Sequence, residues 1–331
     1  MIRVIRGIFL GGLAVLILLA ALAGFLYREA VRPGPSPAAV TLILPRGAGL
    51  AAIAAALADN HVARQGVFVM AAALALHDAR DLKAGEYRFP AAISIVAALD
   101  LLREGRVVVH RLTVPEGTTM AEVMRLLKAA YGLQGPLPPT PPEGSILPET
   151  YDYRYGDSRA ALLKRMAKAM TETLARLWQT RAPGLALTSP EQAVILASIV
   201  EKETALPAER PHIAGVFLNR LKLGMRLQSD PTVAYGITLG QHPLGRPLTR
   251  ADLDADTPYN TYRIVGLPPQ AIDNPGQASL AAVMQPQATS DLYFVANGSG
   301  GHAFAATLAE HERKVRAWRK IEQPAPAGNG G

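Results

Sequence analysis

"SPEQAVILASIVEKET", Ser189 to Thr204, decides how this chain folds. Ser189 is a good N-cap, Pro190 suits the first helical position, and Gln192 completes an S-x-x-Q capping box, so a helix starts here with its direction set. From Ala193 to Val200 every residue is apolar or small. A helix without a wet face runs through the interior of a domain. Charge then returns at once as Glu201, Lys202 and Glu203. Glu201 follows Ala197 by four residues and Val194 by seven, so it shares their side of the helix, while Glu203 shares a side with Ile199 and Leu196. Burial disfavours an ionised carboxyl, and the helix C-terminus disfavours it by roughly 0.3 to 1 kcal/mol more. Both effects favour a protonated acid, the form that general-acid cleavage of a glycosidic bond requires. The competing reading is a solvated last turn in which Lys202 or Arg210 pairs with the glutamates. Spacing alone does not choose between Glu201 and Glu203.

Upstream, Ser158 to Leu177 forms an amphipathic helix with Leu162, Leu163, Met166, Met170 and Leu174 on one face. Further upstream, two segments repeat one design. "LILPRGAGLAAIAAAL" from Leu42 and "LTVPEGTTMAEVMRLL" from Leu112 align without a gap, with Pro45 on Pro115, Gly47 on Gly117, Leu50 on Met120, Ile53 on Val123 and Leu57 on Leu127. Each reads as strand, Pro-x-Gly turn, helix. "AGEYRF" and "PETYDY" follow as closing strands that match Tyr87 to Tyr151, the second copy being stretched by "GPLPPTPPEG". A small βα module used twice is the natural reading, and it resembles the LysM type of glycan-binding module. A spacer that binds nothing is the alternative. The fold class expected is α+β: an N-terminal transmembrane helix, LysM-like βα modules, then a mixed α/β domain around a buried central helix.

The N-terminus carries Arg3 and Arg6 and then about 21 uncharged residues from Gly7 to Tyr27, enough to cross a bilayer core. Both arginines precede the span, which puts residues 1–6 in the cytoplasm and the remainder outside. Ala21-Leu22-Ala23 resembles a signal-peptidase site, and either an anchor or a leader exports the body. "VRPGPSPAA" follows as a semi-extended spacer. The expected divisions are therefore 1–6 cytoplasmic, 7–27 anchor, 28–39 linker, 40–157 repeated LysM-like region, 158–320 catalytic domain and 321–331 disordered tail.

Beyond Arg220 the sequence reads as loop-rich, with "QSDPTVAYG", "TPYNTYRIVGLPPQAIDNPG" and "LYFVANGSGGHAF" set among short regular pieces. Gln228, Asp230, Tyr235, Tyr259, Asn260, Tyr262 and Asn274 combine hydrogen-bonding groups with flat faces, the mixture of a glycan groove. Asp-Pro and Asn-Pro also simply start turns. "GSGGH" is glycine-rich but follows a strand-like run, so a turn is favoured over a phosphate cradle; His302 is a groove or a turn residue.

Of the 331 residues, 49% are hydrophobic and 18% charged, a globular composition, and aromatics are scarce at 6%. With no cysteine, thiolate chemistry, disulfides and Cys-based metal centres are excluded. The seven histidines show no H-E-x-x-H spacing, and no Walker loop, dinucleotide fingerprint or G-x-S-x-G elbow occurs in the right context. Neither a metal nor a cofactor is expected. The net charge of +7 is spread along the chain, which argues against a nucleic-acid surface and suits an acidic polymer or a membrane surface.

Together "ASIVEKET", "VFLNRLKLGMRLQSDPTVAYG", "YNTYRIVGLPPQAIDNPG" and "LYFVANGSGGHAF", in this order behind an anchor, resemble the endolytic murein transglycosylase family, often written MltG or YceG. The resemblance spans Val40 to about Lys320. It implies a single-pass protein of the inner membrane with a periplasmic catalytic domain that cuts nascent peptidoglycan glycan strands internally and ends their elongation. The peptidoglycan-synthesis machinery is a candidate partner. The family's catalytic glutamate is the first of "IVEKET" and falls on Glu201; Glu203, Gln228, Asp230, Tyr235, Tyr259, Asn260, Tyr262, Asn274 and His302 stand as groove candidates. Glycoside hydrolases usually need two carboxylates. In a lytic transglycosylase the C6 hydroxyl of N-acetylmuramic acid attacks its own C1, so one glutamate serves as acid and base. A muramidase-type hydrolase using Glu201 and Asp230, and a non-catalytic membrane-anchored glycan-binding scaffold, are the alternatives.

Overall fold

The computed structural model describes residues 2–322, a mixed α+β chain. Its first helix, α1 (Ile2–Val31), contains the stretch Ile5–Val31, which is long and apolar enough to cross a membrane and whose most apolar 18-residue window has a mean hydropathy of 2.6. The helix runs past Tyr27, so residues 28–31 of the expected linker are helical. Arg28, Glu29 and Ala30 are good helix formers, and the first breaker is Pro33.

The order then runs β1 (Val40–Leu44), α2 (Leu50–Asp59), α3 (Gly66–Ala75), β2 (Gly85–Phe89), α4 (Ile95–Glu104), β3 (Val109–Thr113), α5 (Met120–Ala129), β4 (Thr150–Arg154) and α6 (Arg159–Gln179). Next come α7 (Pro190–Glu203), a 3-10 turn at Pro207–Glu209, α8 (Arg210–Lys222), α9 (Asp230–Thr238), α10 (Arg250–Asp254) and α11 (Gln277–Met284). The hairpin β5 (Tyr293–Ala296) and β6 (His302–Ala305), followed by α12 (Leu308–Glu322), completes it. Ile321 and Glu322 belong to α12 rather than to the expected tail; residues 323–331 of that tail lie outside the described residues.

The chain divides into two compact units. The first comprises residues 1–110 and 152–157, the second 111–151 and 158–331. The two copies of the repeat therefore fall in different units. In the first unit β1 pairs antiparallel with β2, Leu42 opposite Tyr87, over a core of Leu44, Ile53, Leu57, Phe89 and Leu99. In the second copy β3 pairs with β4, and Met120, Val123 and Leu127 are buried at the positions matching Leu50, Ile53 and Leu57. Gly47 and Gly117 both take positive φ, at 82° and 72°, as the Pro-x-Gly turn needs. Tyr87 and Tyr151 each donate to the carbonyl four residues back, of Lys83 and Leu147. The copies differ where α3 stands in the first and a loop carrying Glu143 stands in the second.

The second unit is built around α7. Leu196, Ile199 and Val200 are fully buried against Ile213 and Phe217 of α8 and Val283 of α11. Ser189 caps α7 by accepting from Gln192 N–H, but the Gln192 side chain accepts from Thr188 N–H, so only half of the expected capping box forms. On α6, Leu162, Leu163, Met166 and Met170 are buried, as a core stripe should be. The stretch "QSDPTVAYG", read as loop, is helix α9. Ser229 holds the N-cap position without a side-chain capping bond, Pro231 is an early helical proline, and here the helix prevails over the Asp-Pro turn reading.

Candidate active site

Helix α7 ends by presenting both glutamates within the second unit, each to a different neighbourhood. The Glu201 side chain is only 5% exposed, and both of its oxygens accept from fixed donors: Oε1 from Arg210 Nη2 at 2.8 Å, Oε2 from the Gly276 amide at 2.9 Å. Burial of Glu201 is thus accompanied by two fixed donors. Of the competing reading from sequence, the pairing with Arg210 occurs and the solvated setting does not.

Arg210, at the start of α8, is itself buried and offers the same Nη2 to Glu116 Oε2 at 3.4 Å. Its Nε has no partner among the described residues. Glu116 is the middle residue of the second Pro-x-Gly turn. Its neighbour Gly117 donates to the Asn274 carbonyl, and a Cβ there would touch Glu201 Cγ and Lys202 Nζ. The Glu116 carboxylate lies where a side chain at Gly276 would stand.

Glu203 has different neighbours. Ser229 Oγ donates to it, and burial, reinforced by the charge of Asp230, pushes its carboxyl up to about 7. Ser229 thus turns to Glu203 instead of capping α9. Asp230 is exposed and accepts from Tyr262 at 2.6 Å. Thr261 accepts from the Ser229 amide, which ties the 260–262 loop to the head of α9. His302 begins β6 and binds Glu209 through both Nδ1, at 2.7 Å, and its amide, at 2.8 Å. The "GSGG" run is the hairpin turn between β5 and β6.

The other candidates divide. Tyr235 and Tyr259 meet edge to face at 4.9 Å, and Gln270 donates to the Tyr259 hydroxyl. Asn260 and Asn274 are fully buried. Asn260 donates to Leu253 and Ala255 carbonyls and accepts from the Tyr262 amide, while Asn274 donates to Thr118 O and accepts from Ile146 N–H. Their amides staple loops and are not turned to a groove. Gln228 is exposed, with φ of 52°. A cavity of about 210 Å³ lies beside Lys202, lined by Pro231, Tyr235, Thr238, His242 and Ile272.

Three carboxyls were not singled out from sequence. Burial and the neighbouring Glu122 push Glu143 up to about 7, although the Met120 amide donates to it. Asp273 is fully buried, raised well above the usual carboxylate range by burial, and neither oxygen has a partner among the described residues. Glu116 had one visible signal: the first copy of the repeat carries Arg46 at the matching place.

The YceG-like family model matches residues 42–317. An endolytic murein transglycosylase of Bacillus subtilis (strain 168) is 38% identical over 174 residues, covering 52% of this chain and 47% of that protein. One of Streptococcus pneumoniae serotype 2 is 27% identical over 325 aligned residues, 83% of this chain and 58% of that protein. The chain thus spans about half the length of these curated relatives. The crystal structure of a putative yceG-like protein from Listeria monocytogenes, 30% identical, superposes with a TM-score of 0.50 over 84% of this chain and 99% of that one.

Proposed function

The chain belongs to the YceG-like family, and from that premise we propose that it is an endolytic murein transglycosylase with Glu201 as its catalytic acid and base. It cleaves the β(1→4) bond between N-acetylmuramic acid and N-acetylglucosamine within nascent strands and leaves 1,6-anhydro ends. Glu201 protonates the leaving oxygen and then takes the proton of the C6 hydroxyl as that oxygen closes on C1, so it finishes protonated, as it began. The observation carrying this reading is a carboxylate delivered by a helix packed in the core and fixed from a separate segment by the Gly276 amide. Such fixation is what a group reacting at one oxygen of a large substrate needs.

The cavity beside Lys202 serves as a sugar subsite, with Tyr235 on its wall. The strand-helix-helix-strand unit β1–α2–α3–β2 acts as a LysM-like glycan contact, and residues 158–320 with the second repeat copy form the catalytic part. α1 anchors the protein in the inner membrane with its N-terminus cytoplasmic and the remainder periplasmic, beside the peptidoglycan-synthesis machinery.

A second reading makes Glu203 the acid, since it is the glutamate of α7 whose carboxyl is pushed up to about 7. Digesting uncrosslinked glycan strands and weighing the products separates the readings. Anhydro ends, lost in Glu201→Gln and retained in Glu203→Gln, are expected. Reducing ends would instead indicate a hydrolase, and activity surviving in Glu201→Gln would pass the role to Glu203.

A further inference from the structure

A catalytic acid paired with a buried arginine poses a chemical problem. An arginine stays charged, and an adjacent cation favours the carboxylate over the acid. Glu201 must hold a proton when the glycosidic oxygen departs, yet Arg210 is bound to it at 2.8 Å. Halfway through the reaction the demand reverses: Glu201 has given up its proton, and a counter-ion is then useful. Arg210 therefore has to be absent at one stage and present at another. Moving a buried cation away with nothing to receive it leaves an uncompensated charge, which is strongly unfavourable. A receiving carboxylate is required.

We propose that Glu116 is that receiver, a positioning residue that draws Arg210 off Glu201 when substrate enters and returns it once the proton has been transferred. Four observations support it. The same guanidinium nitrogen already spans both carboxylates, 2.8 Å from Glu201 and 3.4 Å from Glu116, so the transfer is a short shift. The Glu116 side chain is 44% exposed against 5% for Glu201, so an arriving glycan meets Glu116 first. Arg210 Nε has no partner among the described residues, and the guanidinium is not locked by a full set of acceptors. The turn itself does not demand an acid, because Arg46 occupies the matching place in the first copy with the same left-handed glycine after it.

The charged groups around Glu201 are Arg210 from α8, Glu116 from the β3–α5 turn, Lys202 from α7 and Asp273 from the segment before α11, with Glu143 and Glu122 next to Asp273. Of these only Glu116 shares Arg210 with Glu201. Replacing Glu116 thus alters the competition for the guanidinium and leaves the other groups in place.

The inference rests on Glu201 being the acid, and the experiment separates the two. The full chain in detergent is assayed on polymerised, uncrosslinked glycan strands from pH 5 to 8, as wild type, Glu116→Gln, Glu116→Asp and Glu201→Gln. Glu116→Gln is expected to lower kcat about tenfold or more at pH 7, with KM within about twofold, and to regain activity as pH falls and protons compete with Arg210. Glu116→Asp should keep most of the wild-type kcat, and Glu201→Gln should be inactive throughout. If Glu201→Gln is inactive while Glu116→Gln keeps the wild-type kcat and pH profile, the Glu116 inference falls alone. A pH-independent loss in Glu116→Gln that aspartate does not rescue also overturns it, since that marks a merely structural role. Activity in Glu201→Gln removes the catalytic reading and this inference with it.

Discussion

Burial pushes the carboxyls of Glu203 and Glu143 up to about 7, because it costs their carboxylates more hydration than Ser229, the Met120 amide and nearby cations restore. Each group's pKa is higher in the folded chain than in the unfolded one. The folded state therefore binds more protons between about pH 4.5 and pH 7, and stability falls as pH rises through that window. A carboxyl moved from 4.5 to about 7 accounts for at most about 3 kcal/mol of that fall. The thermal midpoint of the wild type should drop from pH 5 to pH 8. Glu203→Gln and Glu143→Gln, which can still accept the Ser229 and Met120 hydrogen bonds, should each flatten the slope. Slopes unchanged in both variants would refute the assignment. At this scale the sequence yields the two glutamates of α7 but not their difference, because helical spacing says which way a side chain leaves and not what waits there. Arg210 lies nine residues away and was within reach; Ser229, which marks out Glu203, is 26 residues off.

Between elements, the site is held by contacts of very long sequence range. The loop ahead of α11 donates the Gly276 amide to Glu201, and the turn between β3 and α5 lays Glu116 across that glycine. Gly276 has φ of −71°, so alanine would fit its backbone; what it lacks is room, because a methyl group would overlap the Glu116 carboxylate. Gly276→Ala should therefore displace the flexible Glu116 side chain while keeping every charged group and the amide that binds Glu201. We expect it to copy the kcat loss and acid-side recovery of Glu116→Gln, at a stability cost of about 1–3 kcal/mol. Wild-type turnover in Gly276→Ala would show that the position of Glu116 does not matter. Element by element, α7 and α6 were legible because caps and apolar periodicity agree there. α9 was not, since the Ser-Asp-Pro that starts a helix also starts a turn, and only its packing under the 260–262 loop decides between them.

Over the whole molecule, the repeat was legible because it recurs without a gap, but its division between two compact units was not. A sequence repeat reports like local structure; which body each copy joins depends on partners such as Asn274, more than 150 residues from Thr118. The same scale governs topology. The side chains across the apolar window of α1 are unburied, and the helix is long and apolar enough to cross a membrane. Arg3 and Arg6 ahead of the span favour a cytoplasmic N-terminus, while Arg28 and Arg32 behind it reduce the asymmetry, so charge alone decides weakly. The chain supplies its own clean test because it contains no cysteine. Ser299 is exposed at the tip of the β5–β6 hairpin, where a thiol disturbs neither core nor site. In spheroplasts a membrane-impermeant maleimide should label Ser299→Cys fully and leave the cysteine-free wild type unlabelled. Labelling that appears only after the membrane is permeabilised would place the hairpin in the cytoplasm. A glycan-cleaving site on that side would have no peptidoglycan to act on, so this result would overturn both the orientation and the proposed activity.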